Sequence, residues 1–372
     1  MFKDHIVHAC RSLFIAFHVL ACVSMSAQSS QIISSLVDVS RNNRVIDLDV
    51  RVPVGVTEPL PWVVFGHGFL MPTSDYDVLA ETLNEAGMAM VMVDMETGIL
   101  PSHEDFGLDL AYTVEHAAAD ALGLEGILGD KVALMGHSMG GGASWLAAAQ
   151  LGTSVNALIG LAPAETTPSA MDAGSSILKP TLVISGSADA VTPPEEHHIP
   201  LHDAASPSTC RSFVNVLEGS HCGFADAGSL CDLGELLFSG MSRDEFQGHA
   251  FEMALLWLRA HLMEDASALN EMEAYGLAQS AVEVSLTCVL SEVPMLCESL
   301  KVWPNPAQET LFLSGLSPGD VLMAYDMHGR RLAVDWMRAG AIDIARWPRG
   351  TVVIQIQSKN GDVFHQKNIL IH

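Results

Sequence analysis

Residues 131–151 read KVALMGHSMGGGASWLAAAQL. The first five have the length and apolar content of a buried strand, and 139–150 are small enough to form a helix packed closely on a sheet. Between them, Gly136-His137-Ser138-Met139-Gly140 fits the G-x-S-x-G turn. That turn needs glycine on both sides, because it is strained and crowds the backbone against its neighbours. A second match, Gly315-Leu316-Ser317-Pro318-Gly319, lies between β-type segments. Pro318 there marks a turn rather than a helix start, so Ser317 is read as a decoy.

Outward from Ser138 the same alternation continues. Strands are expected at 44–52, 62–65, 88–93, 155–161, 180–185 and 212–217, and helices at 76–86, 106–122 and 246–263. Strand–helix alternation predicts an α/β fold with a mostly parallel sheet and helices on both faces. Chemistry is then expected in the loops after the strands.

A serine hydroxyl attacks only when a histidine takes its proton and an acid orients that histidine. The expected order along the chain is Ser, acid, His, each at a strand end. Asp189, in Gly186-Ser187-Ala188-Asp189, and His221, in Gly219-Ser220-His221, occupy those places. Glu218 and Asp94 are the alternative acids. Two backbone N–H groups should bind the oxyanion: Met139, next after the serine, and Phe69, in the loop after strand 62–65. His67 and His137 flank the site as packing or hydrogen-bonding residues. The run Glu195-Glu196-His197-His198 reads as a solvated helix start rather than a metal site. No C-x-x-C or H-E-x-x-H spacing occurs, and no metal or organic cofactor is required.

The chain has 372 residues, 49% hydrophobic and 17% charged, enough for two domains with buried cores. Its net charge is −26. Such a surface repels phosphate backbones and anionic headgroups, which argues against nucleic-acid binding. Residues 28–297 carry 8 basic and 36 acidic side chains, whereas 298–372 carry 8 and 7. That contrast suggests two units with different tasks. From 301 onward, short strands separated by turn signals predict a small all-β, Ig-like sandwich.

Lys3 and Arg11 precede an apolar run at 13–23 and small residues to Ala27, the pattern of a cleaved signal peptide. An N-terminal helix anchor and lipidation at Cys22 are the alternatives. No later segment has 18 uncharged apolar residues, so stable membrane insertion is not expected. Export allows disulfides among the five remaining cysteines. The local pairs Cys222–Cys231 and Cys288–Cys297 are expected, with Cys210 left over.

The motifs from Arg41-Asn42-Asn43-Arg44 through His67-Gly68-Phe69, the Ser138 turn, Gly186-Ser187-Ala188-Asp189 and Ser220-His221 together resemble the α/β-hydrolase superfamily. Over about 35–265 they resemble its bacterial cutinase, polyester hydrolase and chlorophyllase-like or dienelactone-hydrolase-like group. Dienelactone hydrolases use a cysteine nucleophile, and Ser138 points to the esterase side. The resemblance implies an Ser138–His221–Asp189 triad acting with the Phe69 and Met139 N–H groups on ester or polyester substrates, polyethylene terephthalate among them. Cutinase-like enzymes usually place a substrate-stacking Trp where this chain has Ala164, here a substrate-binding position without that ring.

The tail resembles the C-terminal sorting domain of the type IX secretion system. The resemblance rests on Lys301-Val302-Trp303-Pro304-Asn305-Pro306-Ala307, Tyr325-Asp326-Met327-His328-Gly329-Arg330, Trp347-Pro348-Arg349-Gly350-Thr351 and the closing segment. It implies the type IX machinery as partner, a Bacteroidota-type host, and export to the surface or medium with removal or attachment of the tail. The expected organisation is a signal peptide (1–27), a catalytic domain (28–265), a spacer (266–298) and a sorting domain (299–372). The expected activity is that of a secreted serine carboxylic-ester hydrolase. A serine amidase or peptidase on the same fold, and a non-catalytic surface binding protein, are the competing readings.

Overall fold

Strand β5 (Leu128–His137) runs directly into helix α3 (Met139–Leu151), with Ser138 alone between them. A computed structural model describes residues 29–235, 240–288, 301–304, 306–314, 321–326, 330–338, 340–357 and 363–371. The chain divides into two compact units, with the boundary between Val289 and Leu290.

The first unit is built on a nine-stranded sheet of order β1-β2-β4-β3-β5-β6-β7-β8-β9. Its other strands are β1 (Ser29–Asp38), β2 (Arg44–Pro53), β3 (Leu60–Gly66), β4 (Ala89–Val93), β6 (Ala157–Leu161), β7 (Thr181–Gly186), β8 (Cys210–Val216) and β9 (Val282–Cys288). The six from β4 to β8 in that order pair in parallel, whereas β1 and β2 on one side and β9 on the other are antiparallel. Every residue of β4, β6 and β7 is buried, as strands covered on both faces must be.

Helices α1 (Asp77–Glu85), α6 (Arg243–Leu262) and α7 (Ala268–Ala278) cover one face, packing Leu79, Phe246, Trp257 and Met272 on Met90, Met135 and Ile159. Helices α2 (His103–Asp120), α3, α4 (Ala170–Gly174) and α5 (His198–Ala204) cover the other, with Phe106, Trp145 and Leu201 against Val64, Leu134 and Leu158. Successive strand residues point to opposite faces, so the two cores draw on alternate positions of the same strands. Asp109 on α2 is fully buried and accepts from Arg41 and Arg44 at 2.6 Å each, which ties the β1–β2 hairpin to α2.

The expected spacer over 266–298 is not one across 268–288, where α7 and the edge strand β9 belong to the sheet unit. The physical reason is the alternation Val282-Glu283-Val284-Ser285-Leu286, which buries one side of β9 against α7 while β8 supplies the ladder. In that register Cys288 lies opposite Cys210, and the two are disulfide-bonded. This corrects the expected Cys288–Cys297 pair and accounts for Cys210. Cys297 lies outside the described residues, as do the signal segment 1–27, Cys22 and the decoy Ser317. Cys222–Cys231 is present as expected.

The second unit is all-β. One antiparallel sheet has the order β10-β11-β15-β14, from β10 (Lys301–Trp303), β11 (Thr310–Ser314), β14 (Asp335–Arg338) and β15 (Ala341–Asp343). The other has the order β13-β12-β16-β17, from β12 (Val321–Asp326), β13 (Arg331–Leu332), β16 (Gly350–Gln357) and β17 (Val363–Ile371). Leu311, Ile342, Val352, Ile354 and Ile369 form its own core. Among the described residues, no helix is long and apolar enough to cross a membrane.

Candidate active site

Ser138 has φ 54° and ψ −119°, a conformation that non-glycine residues rarely adopt and that its surroundings must enforce. They do so from both sides. The Ser138 N–H donates to the Leu161 carbonyl at 3.0 Å, and its carbonyl accepts from Ala164 N–H at 2.9 Å. A Cβ on Gly136 would lie 2.2 Å from the Gly140 carbonyl oxygen, and one on Gly140 would lie 2.1 Å from that of Gly66. The glycines therefore let β5, α3 and β3 close on the serine.

Asp189 follows β7 and His221 follows β8, in loops joined by the Ala188 N–H bond to Gly219 O at 2.9 Å. His221 Nδ1 lies 2.7 Å from Asp189 Oδ2, with both side chains buried. Burial works against the Asp189 charge. The hydrogen bond from His221, nearby histidines and the Thr192 N–H outweigh it and hold this carboxyl below its usual range. Its Oδ1 accepts from the N–H groups of Val191 and Thr192 at 2.9 and 2.7 Å. Ser138 and His221 line one hollow. The alternative acids do not hold His221: Glu218 bonds through its N–H to Ser187 Oγ, and Asp94 is exposed at the end of β4.

The loop carrying His221 is fastened separately. Glu235 accepts from the N–H groups of His221 and Cys222 at 2.7 and 2.9 Å, and Arg243 donates to the Cys222 carbonyl at 2.7 Å. Together with the Cys222–Cys231 disulfide, these contacts fix the backbone from which the imidazole projects.

Two further groups touch the pair. Thr192 Oγ1 is 3.0 Å from Asp189 Oδ2 and 2.9 Å from His221 Nδ1. His198 Nε2 is 3.0 Å from the same hydroxyl, and its Nδ1 is 2.7 Å from Ser185 Oγ. His198 is fully buried, which corrects the solvated reading of its run. The physical reason is that α5 begins at His198 and turns that ring onto β7, while Glu195 and Glu196 stay outside. Burial pushes His198 down to about 3, so it is neutral at pH 7. The sequence signal was weak: a polar run gives no sign of which member turns inward.

Phe69 and Met139 line the larger hollow together with Ser138, and Phe69 lines the smaller one as well; among the described residues neither N–H is taken by another protein group. A buried relay sets the loop bearing Phe69. Gly68 N–H donates to Tyr76 Oη at 2.9 Å, and Tyr76 Oη is 2.9 Å from His137 Nδ1. His137 Nε2 is 3.1 Å from the His221 carbonyl, which can only accept. Burial holds His137 far below its usual range and hence neutral. Its one proton therefore sits on Nε2, and Tyr76 donates to Nδ1. His67 is buried as well, with its ring nitrogens 2.8 Å from the Gly68 and Met95 carbonyls.

Two hollows flank Ser138. The larger, about 410 Å³, is walled by Phe69, Leu100, His103, Met139, Ala164 and Glu165. The smaller, about 200 Å³, is walled by Phe69, Met71, Val191, His221 and Leu230. Both are mostly apolar, and Leu100 at the rim is 91% exposed. A hydroxyl, an imidazole held by a carboxylate and two open N–H groups are the parts that acyl transfer needs. Among the described residues, no group of three or more His, Cys, Asp or Glu could hold a metal ion.

A family model described as PET hydrolase-like matches residues 22–245. The bis(hydroxyethyl) terephthalate hydrolase of Streptomyces coelicolor is 27% identical over 159 residues, covering 43% of this chain and 49% of that protein. Cutinase est1 of Thermobifida alba is 26% identical over 161 residues, covering 43% and 52%. The chain thus spans about half the length of the curated relatives it matches.

Proposed function

The chain belongs to the PET hydrolase-like family, and from that premise we propose that it is a serine carboxylic-ester hydrolase of cutinase or polyesterase type. The observation that carries this reading is the buried 2.7 Å contact between His221 Nδ1 and Asp189 Oδ2, with His221 lining the same hollow as Ser138. His221 Nε2 takes the Ser138 proton as Oγ attacks the ester carbonyl. The Phe69 and Met139 N–H groups receive the oxyanion. The protonated His221 then gives its proton to the leaving alcohol, and water repeats the sequence on the acyl-enzyme. Asp189 keeps the imidazole oriented and stabilises it while charged.

Polyester chains, aromatic ones included, are the proposed natural substrates. The two relatives are named for a terephthalate ester and for cutin, and the hollows here are open and apolar. Ala164 supplies no ring for stacking, so aromatic units would rest on Phe69. Hydrolysis of a p-nitrophenyl ester series and of soluble polyester oligomers, by the full chain and its Ser138→Ala variant, tests the reading. Serine-dependent turnover of both substrate types supports it. Turnover of small esters alone removes the polymer claim, and no serine-dependent turnover removes the esterase.

We further propose that the second unit is an Ig-like type IX sorting domain that sends the enzyme to the cell surface or medium. The support is the ordered set of tail motifs on a unit with its own core and two antiparallel sheets. Deleting 299–372 should leave activity inside the producing cell; unchanged export would remove this part of the proposal.

A further inference from the structure

We propose that Glu165 makes the larger hollow beside Ser138 a filter against carboxylate-bearing esters, so that the site selects uncharged ones. This rests on the ester-hydrolase reading and names the substrate class within it.

Glu165 is held in place at both backbone and side chain. It follows Ala164, whose N–H donates to the Ser138 carbonyl, and its own N–H donates to His197 Nδ1 at 2.9 Å. Its Oε2 accepts from Met171 N–H at 3.0 Å, at the start of α4. The other oxygen has no protein partner among the described residues, and Glu165 is one of the residues that wall the hollow. A fixed charge at such a position acts on whatever enters, because the carboxylate cannot swing away without losing the Met171 contact.

Nothing on that wall offsets the charge. It holds no Lys or Arg, and Phe69, Ile99, Leu100 and Met139 contribute apolar surface. The other titratable group there, His103, is held below its usual range by burial and is neutral at pH 7. Low-dielectric walls around a single negative charge strengthen its field. The excess of 36 acidic over 8 basic residues across 28–297 adds the same sign at longer range. By contrast, the smaller hollow has no carboxylate in its wall. A substrate carboxylate in the larger hollow is therefore repelled with no cation to receive it, whereas a neutral ester meets apolar surface. The same field disfavours retention of the acid that each hydrolysis releases.

The test uses the full chain, its Glu165→Gln variant and two matched substrate pairs. One pair, p-nitrophenyl hexanoate and the p-nitrophenyl half-ester of adipic acid, places the charge on the acyl side. The other, 4-(methoxycarbonyl)phenyl butyrate and 4-carboxyphenyl butyrate, places it on the alcohol side. Gln keeps an acceptor for Met171 N–H and removes only the charge. For the pair whose charge enters this hollow, the neutral-to-anionic ratio of kcat/KM should fall about tenfold in the variant, through a gain on the anionic member. Added salt should narrow the wild-type ratio in the same direction. An unchanged ratio for both pairs overturns the filter while leaving the esterase intact. No Ser138-dependent turnover of either neutral ester overturns the esterase reading, and the filter with it.

Discussion

His221 Nδ1 and Asp189 Oδ2 are 2.7 Å apart, and both side chains are closed off from solvent. A carboxylate buried there is kept ionised by its donors, so its charge is available to an imidazole that becomes positive during the reaction. Asp189→Asn keeps the shape but lets the ring turn to the wrong tautomer. The expected loss is about 10³–10⁴ in kcat with little change in KM. Steady-state kinetics on a p-nitrophenyl ester checks it, and a loss confined to KM would contradict the role.

Tyr76 lies between the Phe69 loop and His137, which in turn holds the His221 carbonyl. Tyr76→Phe leaves Gly68 N–H and His137 Nδ1 buried without partners. It should lower stability by about 1–3 kcal/mol and kcat by about tenfold or more, with KM nearly constant. Thermal melts and kinetics measured together separate the two effects. A melting shift with unchanged kcat would show the relay to be structural only.

The two disulfides should differ in effect. Cys210–Cys288 closes a separation of 78 residues between β8 and the edge strand β9, at the end of β8 opposite the one that leads to His221. Replacing both by serine should cost stability of about 4 kcal/mol, from the loop length, and leave kcat unchanged. Cys222–Cys231 spans 9 residues and fastens the His221 loop. Its removal should lower kcat more than it lowers the melting temperature. The reverse pattern would contradict the positions given to them.

Acid should weaken the fold in two stages. His198 and His261, pushed by burial to about 3 and about 4, together with His137 far below its usual range, bind protons more readily when unfolded. Groups whose folded pKa is depressed contribute stability above the unfolded value and lose it as pH falls, so for these histidines the decline begins near pH 6.5. The Asp189 carboxyl, also depressed, adds its loss below about pH 4. Melting temperature measured from pH 8 to pH 3 should fall from about 6.5 downward, and a flat profile to pH 4 would contradict it.

What the sequence made legible was local. The Gly136–Gly140 spacing demands a strand-to-helix turn because no Cβ fits at either glycine, and each strand end then marks a position for an acid or a base. Contacts formed by pairing far along the chain were not legible. Cys210 meets Cys288 only through the β8–β9 register, and Tyr76 meets His137 across 61 positions. His198 sits in a polar run whose two glutamates are exposed, so hydropathy carries no sign of its burial. Glu165 is hidden for a related reason: a single charge beside Ala164 belongs to no motif of its own.

The central claim is that Ser138 is the nucleophile activated by His221. The most direct test is labelling of the full chain with a fluorophosphonate probe, followed by peptide mass spectrometry. A single adduct on Ser138, lost in Ser138→Ala and strongly slowed in His221→Ala, is the predicted result. No adduct, or one on another serine such as Ser317, would contradict the account.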